Sequence, residues 1–199
     1  MCKVIISFLI LISSGCSAPI IKNLDNQGAN VICFGDSIAQ GAGIDKEHSY
    51  PYLLGKLIGR PVINAGAGGD TTISALERLE RDVLAKDPSL VIIELGGNDF
   101  LRRVPKEVTF MNLEEIIGKI HAKGAAVVLC DISSKHVLGG YRRGFRRLAK
   151  KTGSILVPGL LVGILENPHL KFDHIHPNRE GHAVIAQRIY KEIRKYFDF

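Results

Sequence analysis

The sequence predicts one α/β domain: a parallel five-stranded sheet covered by helices on both faces. Three observations predict it. Short apolar runs alternate with amphipathic segments from Val31 to the last residues. One of these runs, residues 90–95, is continuous rather than alternating, apolar at every position but Glu94, the pattern of a strand buried on both faces. Polar, glycine-rich segments follow the runs, and ligands of open parallel sheets bind beyond the carboxyl ends of the strands. The chain has 199 residues, enough for one domain of roughly 150 residues and an appendage.

Residues 31–34 (VICF) form the first strand. Ser49 and Pro51 open a helix that runs through Leu57, with Pro in the first turn, where its missing N–H costs nothing. Gly59 ends it, and residues 62–64 form the second strand. From Thr71 onward, Ile73, Leu76, Leu79 and Val83 recur at helical spacing, and Pro88 closes that segment before the third strand. Phe110, Leu113, Ile117 and Ile120 share one face of the next helix, which Gly124 terminates. Residues 125–131 form the fourth strand, residues 141–151 a basic amphipathic helix stopped by Gly153, and residues 155–157 a short fifth strand. The last helix covers residues 179–196 with Asn178 as its cap. Such alternation gives a three-layer α/β/α sandwich.

Residues 1–16 read as an address. A lysine near the start, an apolar run over residues 4–12 and a small-residue stretch describe a secretory signal. Cys16 after Ser14-Gly15 also resembles a bacterial lipobox, with Ser13 where that motif prefers Leu. The expectation is an exported protein, periplasmic or held at a membrane surface by a lipid on Cys16. Residues 17–29 contain Pro19, Asn23, Asn26 and Gly28 and read as a tether, leaving residues 30–199 as the domain. Loss of the leader removes Cys2, and Cys33 and Cys130 then stand in apolar runs as buried thiols, not as a disulfide scaffold.

Apolar residues at 46% and charged residues at 23% exclude a disordered or collagen-like chain. The net charge of +6 is mild. No Trp is present and aromatics are 7%, so stacking platforms for nucleic acid are not evident and no nucleic-acid partner is expected. A monomer is expected.

The segments after the strands carry the chemistry. Gly35-Asp36-Ser37 follows the first strand, residues 64–71 (NAGAGGDT) include the end of the second, residues 96–99 (GGND) follow the third, and residues 173–177 (DHIHP) precede the last helix. A Ser hydroxyl becomes a nucleophile when a His removes its proton, and that His needs a carboxylate to fix its tautomer. Ser37, His176 and Asp173 offer the three groups. An oxyanion needs donors, and the Gly69 amide and the Asn98 side chain are candidates.

These four blocks, in this order, resemble the SGNH hydrolases, also called GDSL-type lipases and esterases. The compact length, the NAxxxGDT turn and the ELGGND strand end are most similar to the small exported bacterial thioesterases, lysophospholipases and arylesterases. The resemblance implies a flavodoxin-like strand order 2-1-3-4-5 and a serine hydrolase without a cofactor, acting on small acyl esters or thioesters. By position it implies Ser37 as nucleophile, His176 as base and Asp173 as orienting acid. The oxyanion donors it implies are the Ser37 amide, the Gly69 amide and Asn98. Asp36 and Asp99 read as mainly structural. The strand order would hold Cys33 and Cys130 ~10 Å apart, beyond the ~7 Å reach of a disulfide.

Other chemistries stay open on the residues alone. Asp173, His174 and His176 could ligate zinc in a metal-dependent hydrolase, although the other rim segments offer no matching cluster. A catalytically inactive binding lipoprotein on the same fold is a further reading. The GAGGDT turn lacks the dinucleotide fingerprint, and Ala39 stands where a G-x-S-x-G elbow needs its second Gly. The basic run from Lys135 to Lys151 reads as a solvated helix face or as a surface for anionic lipid headgroups. The apolar residues 160–165 suit either an acyl groove or the core.

Overall fold

The computed structural model describes residues 20–26, 28–134 and 140–199. The leader, Cys16, and the Lys135 end of the basic run lie outside the described residues. Five parallel strands form one sheet in the order β2-β1-β3-β4-β5. They are β1 (Asn30–Gly35), β2 (Val62–Gly66), β3 (Pro88–Glu94), β4 (Ala126–Cys130) and β5 (Ile155–Val157). Right-handed crossovers place α1 (Ser37–Gln40) and α2 (Tyr50–Leu57) on one face, where α7 (Arg179–Ile193) packs beside α2. The other face carries α3 (Thr72–Asp82), α5 (Lys106–Ala122) and α6 (Arg142–Thr152). The short α4 (Gly97–Leu101) follows β3 at the rim. Both the architecture and the strand order are those the sequence implies.

β3 lies between β1 and β4, and its buried residues face both helical layers, which is why its sequence does not alternate. Cys33 of β1 pairs with Ile92 of β3, and Ile92 pairs with Val128 of β4. The central strand therefore separates Cys33 from Cys130, and both are buried free thiols. Burial pushes both thiols well above the usual range.

Element ends follow local chemistry. The Thr71 side chain accepts from the Ser74 amide, and the Ser74 hydroxyl accepts from the Thr71 amide, a reciprocal cap on α3. Asn178 caps α7 through the Gly181 amide. The helical spacing overruns α3, however. The helix stops at Asp82, residues 84–86 make a separate 3-10 turn, and the third strand starts at Pro88, two residues earlier than its apolar run. α7 likewise ends at Ile193, short of Tyr196. The segments containing Ser37 and Asn98 are the one-turn helices α1 and α4.

Residues 20–26 lie against the domain. The Lys22 amide donates to the Gly153 carbonyl, and Asn23 Nδ2 donates to the His121 and Ala125 carbonyls, each at 3.0 Å. Ile21 and Leu24 pack on the core. These contacts sit where β4 and β5 begin, at the end of the sheet opposite the rim that α1 and α4 occupy. α6 buries Phe145, Leu148 and Ala149. Its cations face outward, and Lys151 pairs with Glu114 of α5 at 2.5 Å.

α7 holds a buried histidine. His182 is 1% exposed, stacks on Tyr50 and accepts the Tyr50 amide hydrogen at Nδ1, 3.1 Å away. Burial, aided by the nearby His176, pulls its pKa down to about 4. The unfolded chain takes that proton near ~6.5, so His182 contributes stability above that pH and the contribution drains away as pH falls toward 4. His182→Asn can still accept from Tyr50 and does not titrate. Between pH 6.5 and 4.5 the native protein should lose about 2–3 kcal/mol relative to this variant, read from urea midpoints at each pH.

Candidate active site

The carboxyl ends of β1, β2 and β3 and the segment before α7 meet at one rim. Ser37 opens α1, and its Oγ lies 3.0 Å from His176 Nε2. His176 Nδ1 lies 2.7 Å from Asp173 Oδ2. The other oxygen of Asp173 accepts from the Ile175 and His176 amides, both at 2.8 Å. Partial burial works against the Asp173 charge, but the His176 ring and the two amides outweigh it and hold its pKa at about 2. Phe172 stacks on the His176 ring at 5.5 Å. The histidine is thus held from both edges and one face, with Nε2 directed at the hydroxyl. A hydroxyl–imidazole–carboxylate relay of this geometry can generate an alkoxide-like nucleophile at neutral pH.

The donors sit beside it. Among the described residues, the Ser37 and Gly69 amides have no protein acceptor. Gly69 has φ +77°, a conformation that side chains disfavour, and Arg102 fixes the turn by donating to its carbonyl at 2.8 Å. Gly66 is required for a different reason: a Cβ there would come within 2.2 Å of the Gln40 amide nitrogen, so only glycine lets β2 approach α1.

Asn98 Nδ2 donates twice, to Asp36 Oδ2 and to the Asp70 carbonyl, each at 3.0 Å. One side chain therefore joins the segments that follow β1, β2 and β3. Asp99, read as structural, is fully buried and accepts from the Thr72 amide (2.8 Å) and hydroxyl (2.5 Å), which ties α4 to the start of α3. Asp36, also read as structural, caps α1 through the Ile38 amide at 3.0 Å and in addition holds Asn98. Burial, partly offset by the Ile38 amide, raises its pKa to about 6.

The wall of the site is apolar. Ile38, Leu101, Ile132, Leu161, Leu165 and Ile175 line a groove of about 60 Å³ beside Ser37 and His176. The run 160–165 divides between the two roles the sequence left open: Leu161 and Leu165 face the groove, and Leu160 and Ile164 are core. His176 directs one ring nitrogen to Asp173 and the other to Ser37, and among the described residues no three His, Cys, Asp or Glu side chains converge to hold a metal ion.

Residues 33–184 match the GDSL-like lipase/acylhydrolase family. The chain belongs to that family. It is 28% identical to the esterase TesA of Pseudomonas aeruginosa over 92% of this chain and 97% of the relative. It is 30% identical to thioesterase 1/protease 1/lysophospholipase L1 of Escherichia coli K12 over 82% and 83% of the two chains. The crystal structure of the psychrotrophic esterase EstA from Pseudoalteromonas sp., inhibited by monoethylphosphonate, superposes with a TM-score of 0.76. That match has 26% identity and covers 84% of this chain and 97% of EstA. As a member of this family the protein is an ester hydrolase.

Two residues at the site of this acylhydrolase escape sequence reasoning. Glu94 lies under the Ser37 turn, and its place in the ELGGND strand end did not reveal what it does there. Arg78 lies on α3, and its side chain is only 11% exposed. It donates to Asp70 Oδ2 at 2.5 Å, to the Ala65 carbonyl at 2.8 Å and to the Gly35 carbonyl at 3.0 Å, and it covers the Phe34 ring. Only a fork of donors spans these acceptors. Arg78→Ala should lower unfolding free energy by about 3–5 kcal/mol, the usual cost of breaking a buried pair. Arg78→Lys should recover less than half of it, as read from chemical denaturation midpoints.

Proposed function

We propose that this ester hydrolase works through an acyl-serine intermediate. Ser37 is the nucleophile, His176 the general base and Asp173 the carboxylate that orients the imidazole. The observation that carries the reading is the unbroken relay from Ser37 Oγ through the His176 ring to Asp173, with separations of 3.0 and 2.7 Å. His176 takes the Ser37 proton as Oγ attacks the carbonyl carbon, and returns it to the leaving alcohol or thiol. Water, deprotonated by the same imidazole, then releases the acyl group. The oxyanion is held by the Ser37 and Gly69 amides and by Asn98 Nδ2. The Asn98 hydrogens are already engaged in the resting site, so this donor is shared with the oxyanion as charge develops, which favours the transition state over the bound ester.

Ser37→Ala should abolish hydrolysis of p-nitrophenyl acetate and labelling by a fluorophosphonate while leaving the melting temperature unchanged. EDTA should leave the native rate intact. Residual turnover in Ser37→Ala together with loss on EDTA treatment would move the chemistry to Asp173, His174 and His176. Asn98→Ala should lower kcat by roughly 10²–10³, with a smaller effect on KM.

The groove supports short acyl groups. Its small volume, about 60 Å³, favours an acyl chain of a few carbons. In a series of p-nitrophenyl esters, kcat/KM should peak between acetate and butyrate; a maximum at palmitate would contradict this. Thioesters of the same acyl groups fit the same relay, since the leaving group departs toward solvent.

Residues 1–16 are, in the same reading, an export signal, with Cys16 carrying a lipid that holds the enzyme at a membrane surface. Incorporation of labelled palmitate that is lost in Cys16→Ser is the expected result.

A further inference from the structure

Glu94 ends β3 opposite Gly35 of β1 and is completely buried. Gly35 leaves it the space: a Cβ at that position would stand 2.9 Å from Glu94 Oε2. Both carboxyl oxygens are without a fully formed hydrogen bond among the described residues. The Ala39 and Asp36 amides and the Asp36 carboxyl are polar neighbours that act on its charge. Among the described residues, the buried titratable groups that also act with it are Cys33 of β1, Tyr50 of α2 and Cys130 of β4. None of these is a cation. A carboxylate placed here would be uncompensated, and burial together with the Asp36 charge drives Glu94 toward its protonated form.

A protonated carboxyl has one hydrogen to donate, and its natural acceptor is the Asp36 carboxylate. Asp36 already accepts from the Ile38 amide at Oδ1 and from Asn98 at Oδ2, and a carboxylate with about four lone-pair sites can take a third donor. We propose that Glu94 is a positioning residue for ester hydrolysis: as a buried acid donating to Asp36, it keeps Asp36 an anion and thereby holds Asn98 in line with the nucleophile turn. The inference rests on the reading of Asn98 as an oxyanion donor. The groups that act on Asp36 are the Ile38 amide, His176 and Glu94, which favour its charge, and Asp70, which opposes it. Removing the Glu94 donor takes away one of these supports. Asp36 should then bind its proton at higher pH, and Asn98 should lose its acceptor over the acid part of the working range.

The test is a pair of variants with the side-chain volume kept. Glu94→Gln retains a donor, and its kcat should stay within about threefold of the native value. Glu94→Leu removes the donor. Its kcat should fall about tenfold to a hundredfold with KM within about twofold, part of the effect of losing an oxyanion donor outright. The acid limb of its kcat/KM profile should move to higher pH, and its melting temperature should stay near the native one, because the hydrocarbon that replaces a buried acid offsets the lost bond to Asp36. Glu94→Met carries the same expectations if Glu94→Leu does not fold. A Leu or Met variant with native kcat and an unmoved acid limb overturns the proposal. So do Gln and Leu variants equally impaired and equally destabilised, which would make Glu94 only a packing element. If Asn98→Ala keeps its kcat, the oxyanion reading fails. If Asn98→Ala is impaired and Glu94→Leu is not, only the role of Glu94 fails.

Discussion

One primary amide holds the rim together. Asn98 Nδ2 donates to Asp36 and to the Asp70 carbonyl, so the segments that follow β1, β2 and β3 share a single nitrogen. Each of those segments brings a group the proposed chemistry uses: Ser37 after β1, the Gly69 amide after β2, and Asn98 itself after β3. Parallel strands lie ~4.8 Å apart, and three loops leaving adjacent strands have no reason of their own to stay in register. The amide supplies one, beside the Arg78 fork and the Asp99–Thr72 bonds. Everything beneath it has to present Asp36 as an acceptor and Asp70 with its carbonyl turned inward.

The support for those two acceptors differs in kind. Asp70 is anchored by a cation: Arg78 reaches from α3 to its carboxylate and to two strand-end carbonyls. Asp36 has no guanidinium against it. It relies on the Ile38 amide, the Asn98 amide and a neighbouring acid, in surroundings dry enough to raise its pKa to about 6. The site therefore combines a firmly neutralised half with an electrostatically marginal one, and the nucleophile stands on the marginal half. The histidine arm is built separately from both. Its geometry is local, made within residues 172–178 by Asp173, two backbone amides and a stacked Phe172. That locality explains why a spacing of three residues was enough to anticipate it.

The apolar groove and the buried interior are continuous. Leu160 and Ile164 belong to the core while Leu161 and Leu165 face the substrate side, so a single-turn irregular segment serves packing and specificity together. The docked residues 20–26 lie at the other end of the sheet, against Gly153, His121 and Ala125. The chain thus enters the domain at the end remote from the relay.

What the sequence by itself determined is whatever depends on order and local periodicity. The alternation of apolar runs and helical faces specified the layers, and the continuous third run marked a central strand. Four short blocks specified Ser37, Gly69, Asn98, Asp173 and His176. Boundaries were less legible where packing overrode propensity, as at Val83, which continues the apolar spacing of α3 after the helix has ended at Asp82. Tertiary structure alone decided which carboxylates are charged and which polar residues are buried. Arg78 and Glu94 look ordinary in sequence because their partners come from strands distant in the chain but adjacent in the sheet: Gly35 and Ala65 for the arginine, Gly35 and Asp36 for the acid. Burial, and with it the energy of a charge, is a property of neighbours, and neighbours exist only once β1 has been inserted between β2 and β3.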